Sequence, residues 1–368
     1  MRVHIVDPSA YTPPYDHELC AALARAGAEV ELYTSRFAHG TAPASDSYVR
    51  HETFYVAARR ARDARVRRAL KLAEHVPDML AYRSRARTAD VVHFQWLPLQ
   101  HVDAHLLPRA KPLVLTAHDI FPREPRPGQL RAQRRLYERF DAIVVHTERG
   151  RERLEAEAGV PRERVHVIPH GAFEHLRAGD VAQAPWETGA SVALFFGLLR
   201  PYKGLDALVE AWRGIEGAEL WIVGMPRMDT SALHARAGPN VRFLERFVSD
   251  AELRACFEAA ELVVLPYREI DQSGVALAAL AFGKPLVLSD AGGFAELGDA
   301  GAARVVAAGD VGALHAALAE LLDDGAQREQ MARRARELAA HAYSWDAIAV
   351  RTLELYESLL GREPAAAS

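Results

Sequence analysis

The sequence is short of several features, and each shortage excludes a class. Only two of its 368 residues are cysteine, Cys20 and Cys256. They lie far apart, each inside an apolar helical pattern. They read as buried thiols in a reducing compartment, not as a disulfide or a metal site. No run approaches the ~20 apolar residues that span a bilayer. The opening Met1-Arg2-Val3-His4-Ile5-Val6-Asp7 has neither the long apolar core nor the cleavage site of a signal peptide, and reads as a short strand. Neither sign of charge dominates, and a net charge of −4 gives no pull toward nucleic acid. No Gly-x-Gly-x-x-Gly follows the first strand, which argues against a Rossmann dehydrogenase. There is no repeat at solenoid periods. No cluster of carboxylates or histidines requires a metal.

What is present is 49% apolar and 26% charged, the balance of a soluble globular chain. Its length predicts two domains. Short apolar runs at 3–6, 30–33, 91–94, 113–115, 143–145 and 165–168 read as strands, with helical patterns at 18–26, 129–140 and 151–158. Residues 171–191 lose this pattern and read as a linker. Strands are then expected at 192–196, 220–223, 241–244, 262–265, 286–288 and 304–306. Helices are expected at 205–212, 249–259, 275–282, 311–322, 327–340 and 345–360, with a frayed tail at 364–368. Buried short strands alternating with helices imply the α/β class, with parallel sheets and right-handed crossovers in two similar halves that complete one cleft.

The stretch that organises the chain is Phe195-Phe196-Gly197-Leu198-Leu199-Arg200-Pro201-Tyr202-Lys203-Gly204. An apolar strand ends at Gly197, two cations follow, and Gly204 opens an amphipathic helix. Free N–H groups and the helix dipole favour phosphate there, and Arg200 and Lys203 supply charge. A surface loop with solvated cations is the bland alternative. A second such place follows the strand at 262–265. Its loop, Arg268-Glu269-Ile270-Asp271-Gln272-Ser273-Gly274, leads into a helix near Val275, and Ser273 and Gly274 suit a helix start approached by a ligand. Two helix starts, at Gly204 and Gly274, together point to one pyrophosphate.

Ligands of parallel sheets bind beyond the carboxyl ends of the strands. Four loops of the first half lie there. Residues 8–17 hold Tyr15, Asp16 and His17, and either line a sugar cleft or cap a helix through Asp16. Trp96, after 91–94, either stacks on a sugar face or packs under the loop. His118, after 113–116, either donates to a hydroxyl or is structural. His170 and Gly171 follow 165–168, near the domain boundary.

A basic segment interrupts this half. Arg59, Arg60, Arg62, Arg65, Arg67, Arg68, Lys71, Arg83, Arg85 and Arg87 are opposed only by Asp63, Glu74 and Asp78. Val66, Leu70, Ala73 and Val76 fall near helical spacing, with Met79 and Leu80 beyond Pro77. Two readings stay open. One is a basic amphipathic helix on an anionic membrane, at about 1 kcal/mol per cation. The other is a helix packing its apolar stripe on the domain.

Over nearly its whole length the chain resembles the GT-B glycosyltransferases of family 4, the retaining group. The resemblance rests on residues 197–204, on the block from Pro266-Tyr267 to Gly283-Lys284-Pro285, and on Gly292-Gly293 with Glu296. Ile168-Pro169-His170-Gly171, Thr116-Ala117-His118-Asp119 and Tyr343-Ser344-Trp345 add to it. It implies two Rossmann-like α/β domains facing a cleft, 1–178 for the acceptor and 190–345 for the nucleotide-sugar donor. The last helix, 346–362, returns to the first domain. It implies an enzyme that moves a hexosyl group from a nucleotide-diphosphate sugar to a glycan, glycolipid or natural-product hydroxyl with retention, in cell-envelope or polysaccharide synthesis.

By the same resemblance Arg200 and Lys203 neutralise the departing diphosphate, and His118 contacts the transferred sugar. Gly197, Asp271, Gln272, Ser273, Gly274, Val275 and Glu296 hold the donor. Tyr15, Asp16, His17, Trp96, His170 and Gly171 line the acceptor or sugar cleft. No metal and no cofactor is expected, and the location is cytoplasmic, at the inner face of the membrane if the basic segment docks there. The chain also departs from the pattern. The family's acidic pair falls at Ile270 and Ala278, while Glu261 and Glu269 match only out of register; Asp271, Gln272 or Glu269 is left to contact the sugar. Tyr15-Asp16-His17 replaces a Gly-Gly loop, and Leu198 stands where an Arg is usual, leaving Arg200 to reach that phosphate. A non-catalytic nucleotide-sugar-binding partner and a sugar-nucleotide epimerase of the same fold are the alternative readings. A phosphorylase finds no support.

Overall fold

A computed structural model describes residues 1–37, 44, 46–109, 111–122, 125–178 and 180–362. Gly179 of the expected linker and the tail 364–368 lie outside the described residues. The described strands all pair in parallel, in two sheets. Such strands bury both faces, which is why most read as unbroken apolar runs. The chain divides into two units, Met1–Pro169 with the segment from Trp345, and His170–Ser344.

The first unit holds β1 (Arg2–Asp7), β2 (Glu29–Ser35), β3 (Val49–Phe54), β4 (Val91–Phe94), β5 (Leu113–Thr116), β6 (Ala142–Val145) and β7 (Val165–Val167), in the order β3-β2-β1-β4-β5-β6-β7. Around it lie α1 (Pro13–Arg25), α2 (Ala64–Arg85), α3 (Gln100–Leu106), α4 (Gln129–Tyr137) and α5 (Glu148–Arg153). Successive residues of β1 face opposite ways. Val3 and Ile5 join a core with α1 and the chain's last helix, whereas Val6 joins a core with Met79 and Tyr82 of α2 and Leu136 of α4.

The second unit holds β8 (Ser191–Phe196), β9 (Ala218–Val223), β10 (Val241–Leu244), β11 (Leu262–Leu265), β12 (Leu286–Ser289) and β13 (Ala303–Val306), in the order β10-β9-β8-β11-β12-β13. Its helices are α6 (Leu205–Ala211), α7 (Ser231–Arg236), α8 (Asp250–Ala259), α9 (Gly274–Ala281), α10 (Phe294–Asp299), α11 (Val311–Asp323) and α12 (Gly325–Ala340). The last helix, α13 (Trp345–Leu359), belongs to the first unit and packs on α1. Tyr356 on α13 pairs its hydroxyl with His93 Nδ1 at 2.6 Å, Trp345 packs edge-on to Tyr15, and Arg25 pairs with Asp346. Cys20 and Cys256 are buried, one in each unit, and burial pushes both thiols upward, Cys256 to about 12.

Four expectations are corrected. Helix α1 begins at Pro13, not at residue 18, because prolines at its first positions sacrifice only N–H groups that have no helical partner. Tyr15, Asp16 and His17 are therefore helical rather than in a loop. Asp16 caps nothing. No side chain caps α1; Asp7 instead ties down the loop before it, accepting from the amides of Ser9, Tyr11 and Thr12 at 3.1, 2.5 and 3.3 Å. Helix α2 runs unbroken through Pro77. Ala73, whose carbonyl Pro77 cannot satisfy, and Pro77 itself both lie on the exposed side, where water serves. Its packed stripe is His75, Met79 and Tyr82, while Val66 and Val76 of the expected stripe are exposed. The divide falls at Pro169/His170 rather than 178, since Ala172 lies in the second unit's core and the turn Glu174–Arg177 packs on α8 and α9.

Candidate active site

In the second unit the strand order reverses between β8 and β11, the point at which an open parallel sheet leaves a crevice beyond its strand ends. The loops after β8, β11 and β12 carry the sequence-predicted donor residues, and those three strands are neighbours. Glycines let the loops approach. Gly204 has φ 69°, and a Cβ there would stand 2.0 Å from the Pro266 carbonyl oxygen. Gly224, φ 148°, would strike the Gly197 carbonyl oxygen at 1.9 Å. The backbone at 197–204 is thus clasped between the loop after β9 and the loop after β11. Arg268 adds to the clasp, pairing with Asp206 at 2.5 Å and donating to the Pro201 carbonyl.

Lys203 is 7% exposed. Its Nζ donates to Tyr267 Oη at 2.9 Å and lies over the rings of Tyr267, 4.6 Å to the centroid, and Phe195, 5.9 Å. A Cβ on Gly197 would come within 2.9 Å of that ammonium, so glycine leaves the space beside it open. Arg200 is exposed at the start of the short turn Pro201–Lys203.

Ser273 caps α9, its buried hydroxyl accepting from the Ala276 amide at 3.4 Å. Gly274 is exposed and Val275, Asp271 and Gln272 are half-buried around this helix start. The family's two acidic positions give no polar group: Ile270 and Ala278 are both buried in the apolar core. Gly292, φ 56°, would drive a Cβ to 1.8 Å from the Ile270 carbonyl oxygen, which fixes the loop after β12 against the one after β11. Glu296 stands half-buried in the first turn of α10. His170, buried, and Gly171 belong to this unit. The His170 ring meets Phe173 edge-on at 5.1 Å, and Phe173 in turn lies 3.2 Å from a Cβ built on Gly274.

In the first unit the reversal falls between β1 and β4. Here the structure assembles a group that sequence patterns only partly named. His118 stacks on Trp96, interplanar angle 11°, and meets the edge of buried Tyr15 at 4.7 Å. His146, at the end of β6, sits 3.0 Å by Nδ1 from the Ile168 carbonyl oxygen, which can only accept, so Nδ1 carries a proton. Burial pushes the His146 pKa down to about 4, so the ring is neutral and its Nε2 accepts. His118 Nδ1, 3.2 Å away, must then donate. That leaves His118 Nε2, 3.2 Å from the side-chain amide of Gln95. A neutral His118 accepts from the amide NH₂ there; a protonated one donates to the amide oxygen. Either way one atom of the buried Gln95 amide has no partner among the described residues.

Gln95 and His118 both line a cavity of about 260 Å³, with Tyr11, Trp96, Asp119 and Gln133 among the walls. Trp96 gives its Nε1–H to Thr12 Oγ1 at 3.2 Å and one face to His118. Asp16 is buried against Asp7, and its pKa is pushed well up, first by burial and then by the Asp7 charge. Since Asp7 accepts three amides and Asp16 has no such donors, Asp16 holds the proton and donates it to Asp7. Tyr15 and Asp16 are thus part of the wall behind His118, while half-buried His17 pairs by Nδ1 with Tyr48 Oη at 3.0 Å. His146 carried no sequence signal beyond standing one residue after a strand, whereas Gln95 stands in the strand-end loop whose aromatic and amide groups suit carbohydrate. Among the described residues no three of His, Cys, Asp and Glu come together as metal ligands.

Two family models match in chain order: Glycosyltransferase Family 4 over residues 15–172, and Glycosyl transferases group 1 over residues 190–324. The D-inositol 3-phosphate glycosyltransferase of Kineococcus radiotolerans is 29% identical, covering 93% of this chain and 89% of its own. The MMP alpha-(1->4)-mannosyltransferase of Mycolicibacterium hassiacum is 27% identical over 64% of this chain and 58% of its own. Among solved structures, sucrose-phosphate synthase from Thermosynechococcus elongatus superposes with a TM-score of 0.73 at 19% identity, covering 98% of this chain and 99% of its own. Anabaena HepE, in complex with UDP-glucose, does so at 0.70 and 20% identity, over 97% and 100%. Together with the two parallel sheets and their clasped strand-end loops, these matches place the chain in family 4 of the GT-B glycosyltransferases, enzymes of sugar transfer.

Proposed function

We propose that the chain moves a hexosyl group from a nucleotide-diphosphate sugar to a hydroxyl of a sugar, lipid-linked or small-molecule acceptor, with retention at the anomeric carbon. The observation that carries this reading is Lys203, an ammonium drawn below the surface at the strand ends of the second unit with a glycine rather than a side chain beside it. Departure of a diphosphate develops negative charge. A cation fixed beforehand in a partly desolvated place stabilises that charge without reorganising. Arg200 supplies a second, exposed cation, and the Gly274 and Val275 amides at the start of α9 supply dipoles. Asp271, Gln272 or Glu269 contacts the donor sugar in place of the missing acidic pair, and Glu296 binds the donor from α10.

His118 takes the sugar hydroxyls, with its tautomer set by His146. Trp96 and the cavity walls take the acceptor. The charge is assigned to protein groups, so the reading calls on no metal and no cofactor. Support for the donor class comes from HepE, solved with UDP-glucose. Support for the acceptor class comes from relatives named for D-inositol 3-phosphate and for a glycolipid. Polysaccharide or glycolipid synthesis at the cytoplasmic face of a membrane fits these names and the two buried thiols.

Helix α2 fits that location. Leu72, Val76 and Leu80 form an exposed stripe at four-residue spacing, with Arg65, Arg68 and Arg83 beside it. No helix among the described residues is long and apolar enough to cross a membrane. We assign the α2 stripe to peripheral contact with anionic lipid.

The test is product analysis. The full chain is incubated with a panel of nucleotide sugars, nucleotide release is followed, and the anomeric configuration of the product is read by proton NMR. Retained configuration is expected. An inverted product overturns the mechanism. Nucleotide binding without any donor hydrolysis or transfer favours the non-catalytic alternative.

A further inference from the structure

The first unit carries another hollow besides the cavity at His118. Helices α3 and α4 pack side by side, tied at their starts by Gln129 Nε2 donating to Gln100 Oε1 at 3.2 Å. Gly128, φ 79°, opens α4 close against α3; a Cβ there would stand 3.5 Å from the His101 ring. The groove between the helices is lined by His101, His105 and Arg109 on one side and by Arg131, Arg135 and Arg139 on the other. His101 and His105 lie one turn apart on α3, and Arg131 and Arg135 one turn apart on α4, so each pair shares a helix face. Arg109 and Arg139 follow just beyond the helix ends. We infer that this groove is a binding site for a phosphate group carrying at least two charges, a diphosphate or a phosphomonoester.

Four guanidinium groups line the groove, and the one carboxylate among its described lining residues is Glu138. Arginines elsewhere on the surface have a glutamate three or four residues away, as in Arg149–Glu152, Arg153–Glu157 and Arg254–Glu258. Arg131 has Pro127, Gly128, Arg134 and Arg135 at those spacings. Like charges one turn apart repel and destabilise a helix, and an anion held among them reverses the sign. A guanidinium presents its N–H groups as a flat fork that matches phosphate oxygens two at a time. A carboxylate ligand needs one such fork. Four of them, with ring N–H groups from His101 and His105, suit an anion of higher charge.

The groove holds about 580 Å³, within the range of small-molecule sites. A lone phosphate fills part of it, and the rest takes the body that carries the phosphate. Among the described residues the groove shares only Gln100 with the cavity at His118, so its cations lie outside the acceptor walls. Arg109 also lines a neighbouring groove with Arg83, Arg87 and Lys111, whose described lining holds no carboxylate. Cations thus run on from α4 to the end of α2 and raise the local concentration of anions at the mouth. That neighbouring groove reaches Leu80 of the exposed α2 stripe, so the phosphate has two sources, a lipid headgroup or a soluble molecule.

The test is a titration of the ¹⁵N-labelled full chain with inorganic pyrophosphate at about 0.15 M salt, followed by amide-resolved NMR. The amides of α3 and α4 are expected to shift and saturate. Arg131→Gln with Arg135→Gln is expected to raise that Kd about ten-fold or more. Arg149→Gln with Arg153→Gln, the same change of charge on α5, is expected to leave it within about two-fold. The same spectra report folding of each variant, and residues 197–204 report pyrophosphate at the donor loop, so a failed groove leaves sugar transfer standing. Competition by vesicles holding phosphatidic acid, but not by phosphatidylcholine vesicles, makes the source a lipid headgroup. Competition by soluble nucleoside diphosphates alone makes it a free phosphate, and either result upholds the site. Unmoved α3 and α4 amides overturn the inference, as does a Kd that the two α5 substitutions raise as much as the two on α4.

Discussion

The Lys203 ammonium is placed below the surface, where the Tyr267 hydroxyl accepts one of its N–H groups and two ring faces lie beneath it. Lys203→Ala removes the fixed charge, and turnover is expected to fall by far more than ten-fold, at about 1.4 kcal/mol per decade. Tyr267→Phe keeps both rings and removes only the acceptor, so a loss of about five-fold is expected, the worth of about 1 kcal/mol. Nucleotide release at saturating donor measures both; unchanged turnover in Lys203→Ala would mean that the leaving group is held elsewhere. His146 is a positioning residue, acting through the His118 tautomer. With its pKa pushed down to about 4 by burial, His146 stays neutral from pH 5 to 8, so the acid limb of the rate belongs to other groups. His146→Phe frees the His118 Nδ1–H from its acceptor. Activity is expected to drop at least ten-fold and the acid limb to move, while His146→Gln, which keeps an acceptor, recovers part of both. A loss of activity with an unmoved pH profile would reduce His146 to packing.

The loop that carries Lys203 is shaped by glycine at Gly204. Gly204 and Gly159 offer a matched pair, with φ of 69° and 70°. Alanine at Gly159 meets open space and should cost only the left-handed strain, about 1–2 kcal/mol. Alanine at Gly204 adds a collision with the Pro266 carbonyl, so its thermal midpoint should fall clearly further, and activity with it, although no charge has changed. Helix α2 is tested by co-sedimentation with vesicles holding anionic lipid. Leu72→Gln with Leu80→Gln should weaken binding by ten-fold or more, and high salt should abolish it; salt-independent binding would discard the assignment. At this scale the strands were legible except β3, an edge strand whose Arg50, His51 and Glu52 break the apolar run. The short α3, α7 and α10 were not, because six or seven residues carry too little periodicity. Pro13 and Pro77 misled in opposite ways: one begins a helix, where no N–H is needed, and one rides inside one on its exposed side.

For the whole molecule, what the chain pattern could not convey is strand order, and with it which loops meet. The loops after β8 and β11 were legible as elements because glycine, cation and helix start lie together in sequence. The His118 group was legible at His118, Trp96 and the neighbouring amide Gln95, but not at His146, which reaches it from a separate strand. Strand order also gathers buried histidines into one unit, with a consequence for acid stability. His4, His93 and His146 all belong to the first unit, and burial pushes them down to about 4, 3 and 4; Glu31, 3.8 Å from His4, pulls only partly the other way. A histidine held neutral when folded but protonated when unfolded stabilises the fold above about pH 6.5 and loses that contribution as pH falls toward 4, at up to about 1.4 kcal/mol per pH unit each. The Asp7–Asp16 pair opposes this. Its raised pKa lets the fold keep a proton that the unfolded chain releases, so stability rises as pH falls. Three histidines outweigh one shared proton. Hydrogen exchange at pH 7 and pH 5, corrected for intrinsic rate, should therefore show β1, β4 and β6 losing more protection than β8, β11 and β12. Equal losses in both sheets would mean that these histidines find their protons in the folded state, and that the neutral His146 from which the His118 tautomer follows does not exist.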